Sequence, residues 1–203
     1  MIRQIFSLIL IATALFVSEI QMATAKPITN VVRWVVEKNS TMRVEGKSNI
    51  NSFACNIKEY PKKDTIIVVN DPTKEIRLSG ELQMDVLSFN CHSSLITKDL
   101  RKTLKAEEYP KFIIRFLSIK SMPTLQDKSE LIEGWIEVEL AGVVKQFELC
   151  YRFSKEGTGY IKLNGAQNFC FSDFKLSPPR KLAGMVKIKD DFKVNFQLIL
   201  RPI

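Results

Sequence analysis

Apolar and polar positions alternate through the middle of the chain. Ile76, Leu78, Leu82, Met84 and Val86 share one parity, with Gly80 among them; Glu75, Arg77, Ser79, Glu81, Gln83 and Asp85 share the other. A period of two sustained over about a dozen residues predicts a strand with one apolar and one wet face. Then the period changes. Ile96, Leu100 and Leu104 recur every four residues, which predicts a short amphipathic helix. Thr97 is placed to cap its start, and Pro110 marks a point by which it has stopped. Beyond Pro110, Phe112, Ile114 and Phe116 alternate with Lys111 and Arg115, so a strand resumes.

The same two-residue period runs through the flanks. Val31 to Lys38 reads as a first strand, and Met42, Val44, Gly46, Ser48 and Ile50 alternate with charged or polar neighbours in a second. Gly46 and Gly80, inside strands, predict bends or bulges of the kind a closing sheet needs. Phe53 to Tyr60 and Ile66 to Val69 follow. Downstream, Ile132, Gly134, Ile136, Val138 and Leu140 lead to a turn at Ala141-Gly142, and then Phe147, Leu149, Tyr151 and Phe153 keep the period. A loop around Gly157 separates these from Tyr160 to Phe174, and Val194, Phe196, Leu198 and Leu200 share a face in the last strand. About eight two-faced strands joined by short turns, with one helix, predict an all-β domain. Such strands either close into an antiparallel barrel or stack as a sandwich.

Composition changes this picture little. Arg3, the apolar run Ile5 to Val17 and the small residues Ala23-Thr24-Ala25 read as a secretory signal peptide over residues 1–25. The expected product is one domain over residues 26–203, periplasmic or secreted, with no transmembrane segment in the mature chain. The formal charge of +8 comes from cations that alternate with apolar residues along strands. That is the pattern of a solvated face, and no basic run with interleaved aromatics suggests nucleic-acid binding.

Several segments taken together resemble the YceI-like family of polyisoprenoid-binding proteins. They are Asp85-Val86-Leu87-Ser88-Phe89, Lys98-Asp99-Leu100, Leu104-Lys105-Ala106 and Tyr109-Pro110-Lys111-Phe112. The similarity continues at Gly134-Trp135-Ile136, at Gly142-Val143-Val144-Lys145 with Phe147, and at Ser172-Asp173-Phe174. The order and spacing carry the resemblance more than any one motif. It implies a lipocalin-like barrel whose interior holds a long isoprenoid chain. Three positions depart from the family pattern: Lys175 stands where it has Gly, Cys170-Phe171 where it has Asn-Arg, and Asn39-Ser40 near its His-Ser pair.

The apolar parity supplies the candidate lining: Met42, Val44, Ile50, Leu82, Met84, Val86, Phe112, Ile114, Phe116, Phe147, Leu149, Tyr151, Phe153, Phe196 and Leu198. Such residues either fill a core or line an apolar cavity. On the family's pattern the ligand is a polyisoprenoid, an isoprenoid quinone or a similar long-chain lipid; no cofactor is expected, no metal is expected because a zinc site with His92 would need reduced thiolates and a pair spacing that the chain does not show, and the sequence leaves room for a homodimer. The cysteines at 55, 91, 150 and 170 are even in number, which in an oxidising compartment favours two disulfides. Of three possible pairings, Cys55 with Cys91 and Cys150 with Cys170 each join residues within one half of the chain.

Catalysis would have to use the single histidine, His92, or a carboxylate pair such as Asp85 and Asp99. His92 reads instead as a loop residue at a strand end, and Asp99 as an acidic residue favoured by a helix N-terminus. A non-enzymatic lipid carrier is therefore expected. The alternatives are a filled module acting through its outer surface, with the wet-parity Trp135 as a contact, or an enzyme acting on a small lipid through His92.

Overall fold

The computed structural model describes residues 30–71, 75–126, 128–181 and 185–203, so the expected signal peptide lies outside the described residues. In chain order the elements begin β1 (Asn30–Val36), β2 (Thr41–Ser48), β3 (Ser52–Ile57), β4 (Thr65–Asn70) and β5 (Ile76–Asp85). A 3-10 turn (Val86–Ser88) and the helix α1 (Ser94–Thr103) separate these from β6 (Lys111–Ile119), β7 (Glu130–Leu140), β8 (Val143–Glu156) and β9 (Tyr160–Cys170). A second 3-10 turn (Phe171–Phe174), the two-residue β10 (Arg180–Lys181) and the long β11 (Val186–Pro202) complete it. All strand pairings are antiparallel.

The strands close into a barrel, and β11 is what closes it. The ring runs β1-β4-β5-β6-β7-β8-β9-β11 and returns to β1. One edge of β11 pairs with β9. The other edge is shared: Ile188 to Gln197 meets β2, and Leu200 to Pro202 meets β1. The β2–β3 hairpin thus prolongs the wall beside the ring. Its free edge is fastened to the segment after β5 by paired backbone bonds, Asn56 N to Asn90 O at 2.8 Å and Asn90 N to Asn56 O at 3.0 Å. Beside them lies the Cys55–Cys91 disulfide.

Register shifts mark where the strands bend. One lies between Arg77 and Gly80 on β5, one between Phe116 and Ser118 on β6, and one between Ile188 and Phe192 on β11. Extra residues at such points increase local twist and let a sheet curl. Gly80 stands at the first and Gly46 pairs with Phe192 at the third, as their placement in the sequence predicts. The turn at Ala141 and Gly142 has φ of 50° and 76°, the left-handed pair of a two-residue hairpin. On the outer face Arg115 joins three strands, donating to Glu81 at 3.3 Å, Glu137 at 3.1 Å and Glu139 at 2.8 Å.

The alternating parity faces inward over most of the chain, and Trp34, Tyr151, Phe153 and Phe174 are among the largest fully buried side chains. Ile50 is an exception. It is 62% exposed, at the tip of the β2–β3 hairpin. The Ser48 hydroxyl oxygen accepts from Ile50 N at 3.1 Å and Asn51 N at 2.9 Å, which turns the chain two residues before the alternation ends.

The helix differs from expectation at its start, whereas its end lies before Pro110 as expected. Ser93, not Thr97, is its N-cap, accepting from Ile96 N at 3.4 Å. Thr97 instead donates to Ser93 O at 2.8 Å and accepts from Cys91 N at 3.1 Å. The helix stops well before Pro110. Ala106 N donates to Arg101 O at 2.9 Å and Lys105 N to Lys102 O at 3.0 Å, with Lys105 at φ 52°. That is a Schellman end with lysine where glycine is usual.

The second expected disulfide does not form: Cys150 is exposed and Cys170 half-buried, both as free thiols. The β8–β9 register sets Tyr151 opposite Gly165, so Cys150 falls opposite Ala166, four residues short of Cys170. At about 3.3 Å per residue that is roughly 13 Å, against the ~7 Å limit between Cα atoms of a disulfide.

Candidate functional site

The strand ends that meet at Asp85, Lys111, Leu140, Val143 and Cys170 define one end of the barrel, and α1 covers it. Two residues of the helix region make it a plug. Leu100 and Leu104 are buried and face the interior, as their spacing predicts. Arg101 Nη2 donates to Leu87 O at 2.5 Å and Phe89 O at 3.3 Å, which staples α1 to the segment after β5, while its Nε is buried without a partner among the described residues.

Beneath the plug is a cavity of about 60 Å³. Among the described residues seventeen side chains line it; Gln167 is polar and the other sixteen are apolar, seven of them phenylalanines. Phe169 lies at its centre of ring contacts, edge-on to Phe147 at 4.7 Å and stacked on Phe192 at 5.7 Å, and Phe171 meets Phe192 at 4.7 Å. Phe89 stacks on Phe112 at 5.6 Å.

Five of the candidate residues reach this cavity: Met42, Val44, Phe112, Ile114 and Phe196. Leu82, Met84, Val86, Phe116, Leu149, Tyr151, Phe153 and Leu198 are buried in the packing around and below it, and Phe147 is half-buried against Phe169 and Phe174. Ile136, Val138 and Leu140 also line it and were legible, because they continue the inward parity of β7. Phe169, Phe171, Phe174 and Phe192 were not, because they fall at a strand end, in a 3-10 turn and beside a bulge, where no period holds.

A groove of about 460 Å³ leads towards the cavity from outside. Its walls are α1 (Leu95, Ile96, Asp99, Thr103), the β2–β3 tip (Ser48, Asn51, Ser52, Phe53) and Pro179, Val186 and Ile188. Leu100 and Phe171 belong to both groove and cavity walls, so they form the partition between them.

The second 3-10 turn positions Phe171 and Phe174. Asp173 holds it: its carboxylate accepts from Cys170 N at 2.9 Å and from Lys145 Nζ at 3.0 Å. The Cys170 N–H first, and the Lys145 ammonium second, hold the Asp173 carboxyl below the usual carboxylate range. Ser172 N donates to Asp190 Oδ1 at 3.0 Å, a second anchor. Because the folded-state pKa is depressed, this stabilisation is present above the unfolded value of about 3.9 and lost as pH falls through the folded one. Asp173→Ala should cost about 1 kcal/mol at neutral pH, as loss of a cap does. In thermal melts the gap between wild type and variant should close below about pH 4; a gap of equal size at pH 3 and pH 6 would mean the carboxylate charge is not what holds the turn.

Other candidates fare differently. His92 is exposed, with φ 61°; its Nε2 lies 3.3 Å from Asn56 Nδ2, and its backbone N donates to Asn90 Oδ1 at 2.8 Å. Asp85 is exposed opposite Lys111 at the end of β5, whereas Asp99 is half-buried on the groove wall. Trp135 is 40% exposed on the outer face. The Tyr151 hydroxyl is buried without a partner among the described residues, and burial pushes its pKa up. No group of three or more His, Cys, Asp or Glu residues that could hold a metal ion occurs among the described residues. No helix among them is long and apolar enough to cross a membrane.

The fold and site define a helix-capped antiparallel barrel with an apolar interior. No sequence-family model and no curated protein sequence matches the chain. Solved structures do. A polyisoprenoid binding domain from Saccharophagus degradans, implicated in plant cell wall breakdown, superposes with a TM-score of 0.62 at 13% identity, covering 83% of this chain and 97% of that one. BcnA of Burkholderia cenocepacia gives 0.58 at 16% identity, covering 79% and 95%. A cysteine variant of the Campylobacter jejuni YceI protein gives 0.51 at 16% identity, covering 68% and 80%. The fold is that of the YceI-like proteins.

Proposed function

We propose that this protein is an exported, non-catalytic carrier that holds a long-chain apolar ligand, a polyisoprenoid or an isoprenoid quinone, in the helix-covered half of its barrel. The observation that carries the reading is the lining: sixteen of the seventeen described side chains around the cavity are apolar. A chain of methylene and methyl groups gains roughly 0.8 kcal/mol per buried CH2 there, with no ion pair required. The neighbouring fold whose name states polyisoprenoid binding supports the same ligand class. The sequence leader and the Cys55–Cys91 disulfide support export into an oxidising compartment.

Size constrains how the ligand enters. Ligand pockets ordinarily span ~300–1,000 Å³, several times the closed cavity. Uptake therefore requires Leu100 and Phe171 to swing aside and join cavity to groove. Phenylalanine and leucine rotamers, with Met42 on the same cavity wall, are the parts that adapt.

The test is native mass spectrometry and organic extraction of the exported protein, followed by titration with a polyprenyl lipid and a quinone. Wild type should carry or take up one such molecule. Val138→Trp, which puts an indole into the cavity, should weaken uptake about tenfold or more, equivalent to 1.4 kcal/mol. A wild-type protein that binds neither lipid, or a folded Val138→Trp variant that binds as wild type does, overturns the proposal.

A further inference from the structure

We propose that the helix-covered end of the barrel docks on an anionic lipid surface, placing the groove mouth against the membrane. The purpose of this contact rests on the lipid-carrier reading, but its geometry does not.

Four large apolar side chains project from this end: Ile50, Leu87, Leu95 and Met185, exposed at 62%, 56%, 62% and 69%. They come from three separate stretches of chain, and the fold holds at least two of these together. Asn49 at the hairpin tip donates from Nδ2 to Met185 O at 2.9 Å, and Lys187 N donates to Asn49 Oδ1 at 2.9 Å. Leu95 lies on the groove wall shared with Asn51 and Val186. Leu87 lies in the adjoining basin, whose walls include Lys98, Arg101, Lys102 and Lys105.

Charge decides the occupant. Lys98, Lys102 and Lys105 are exposed around Leu87 and Leu95, and Lys47 and Lys187 are exposed beside the hairpin tip. Among the described residues the carboxylates at this end are Glu107 and Glu108 on the basin, exposed Asp85 at the end of β5, exposed Asp191 opposite Cys170, Asp173 paired with Lys145, Asp190 held by Ser172, and Asp99, half-buried on the groove wall. Exposed apolar tips ringed by long cationic side chains match a membrane interface: the tips enter the headgroup boundary and the lysines meet lipid phosphates. The opposite end also exposes Leu131, Tyr160 and Ile203. It lacks the cationic helix face and lies away from the groove that leads to the cavity, which makes it the natural control.

The experiment is co-sedimentation of the mature protein with phosphatidylcholine vesicles, with and without phosphatidylglycerol. Wild type should bind the phosphatidylglycerol vesicles and be released by salt, since the attraction decays within a Debye length. Lys98→Glu/Lys102→Glu should weaken binding by roughly 25-fold or more, about fivefold per lysine lost from the surface. Leu95→Glu should weaken it as well, while Leu131→Glu should not. Val138→Trp should bind vesicles as wild type does, because docking does not use the cavity. Equal binding to neutral and anionic vesicles, or wild-type binding by the lysine variant, overturns the docking face. Failure of lipid uptake with docking intact would overturn the carrier reading instead.

Discussion

Replacing Cys55 and Cys91 together by serine should destabilise the protein by about 4 kcal/mol. The disulfide closes a loop with a sequence separation of 36, and the chain-entropy relation gives that value for a loop of this length. For a domain of this size 1 kcal/mol moves Tm by about 2–4 °C, so the melting point should fall by roughly 8–16 °C. Function should respond too. The bridge fastens the β2–β3 hairpin to the segment that leads into α1, so it holds one wall of the groove to the other. Without it, the Asn56–Asn90 backbone pair is the next tie, and the hairpin should open first. Hydrogen exchange should show protection lost in β3 and α1 ahead of β6 to β9. Cys150→Ser/Cys170→Ser should change Tm little. A melting point unmoved by loss of Cys55 and Cys91 would mean the unfolded chain gains no freedom from it.

Gly134→Ala should cost roughly 2 kcal/mol, within the range for overpacking a filled interior. A Cβ at Gly134 would stand 2.3 Å from Ser118 O and 2.7 Å from Tyr151 Cε2. The first is backbone of the neighbouring strand, so β6 or β7 must shift. The second is a ring fully enclosed by Phe116 and Phe153, each within 6.4 Å between centroids. Gly46→Ala makes the contrast. Its Cβ would meet the ring tip of Phe53 at 2.5 Å, but that ring is half-buried on the groove wall and can swing away. Its cost should stay well under that of Gly134→Ala in denaturant melts. Equal costs would show that β6 yields as readily as a free side chain.

The two glycines illustrate how differently sequence speaks about a fold and about a site. Period-two alternation marks which residues face inward, because in a strand each side chain must point opposite to its neighbour. That is why Met42, Leu82, Phe112, Leu149, Tyr151 and Phe196 could be placed inside from the chain alone, and why the four-residue spacing of Ile96, Leu100 and Leu104 marked a helix with a buried face. Local turn chemistry was only partly legible. Ser48 ended the alternation before Ile50, and Ser93 took the cap from Thr97, because each choice depends on competing hydrogen bonds a few residues away.

What the sequence by itself determined was the alternation, hence an all-β domain with one amphipathic helix, its apolar parity, and the resemblance that joins Lys145 to Asp173 in one family pattern. Tertiary structure decided the rest. Barrel closure depends on β11 being long enough to serve both β2 and β1, a fact of three-dimensional register that no local period encodes. The same holds for the cysteines, where strand register separates Cys150 from Cys170 and brings Cys55 to Cys91. The cavity walls include Phe169, Phe171, Phe174 and Phe192 because a 3-10 turn and a bulge fold back over the barrel end, and such irregular segments leave no repeating trace in sequence. The union of Ile50, Leu87, Leu95 and Met185 on one face has the same origin: three stretches distant along the chain, the hairpin tip at Ile50, the segment from Leu87 to Leu95 and the turn at Met185, share an end only once the sheet has closed.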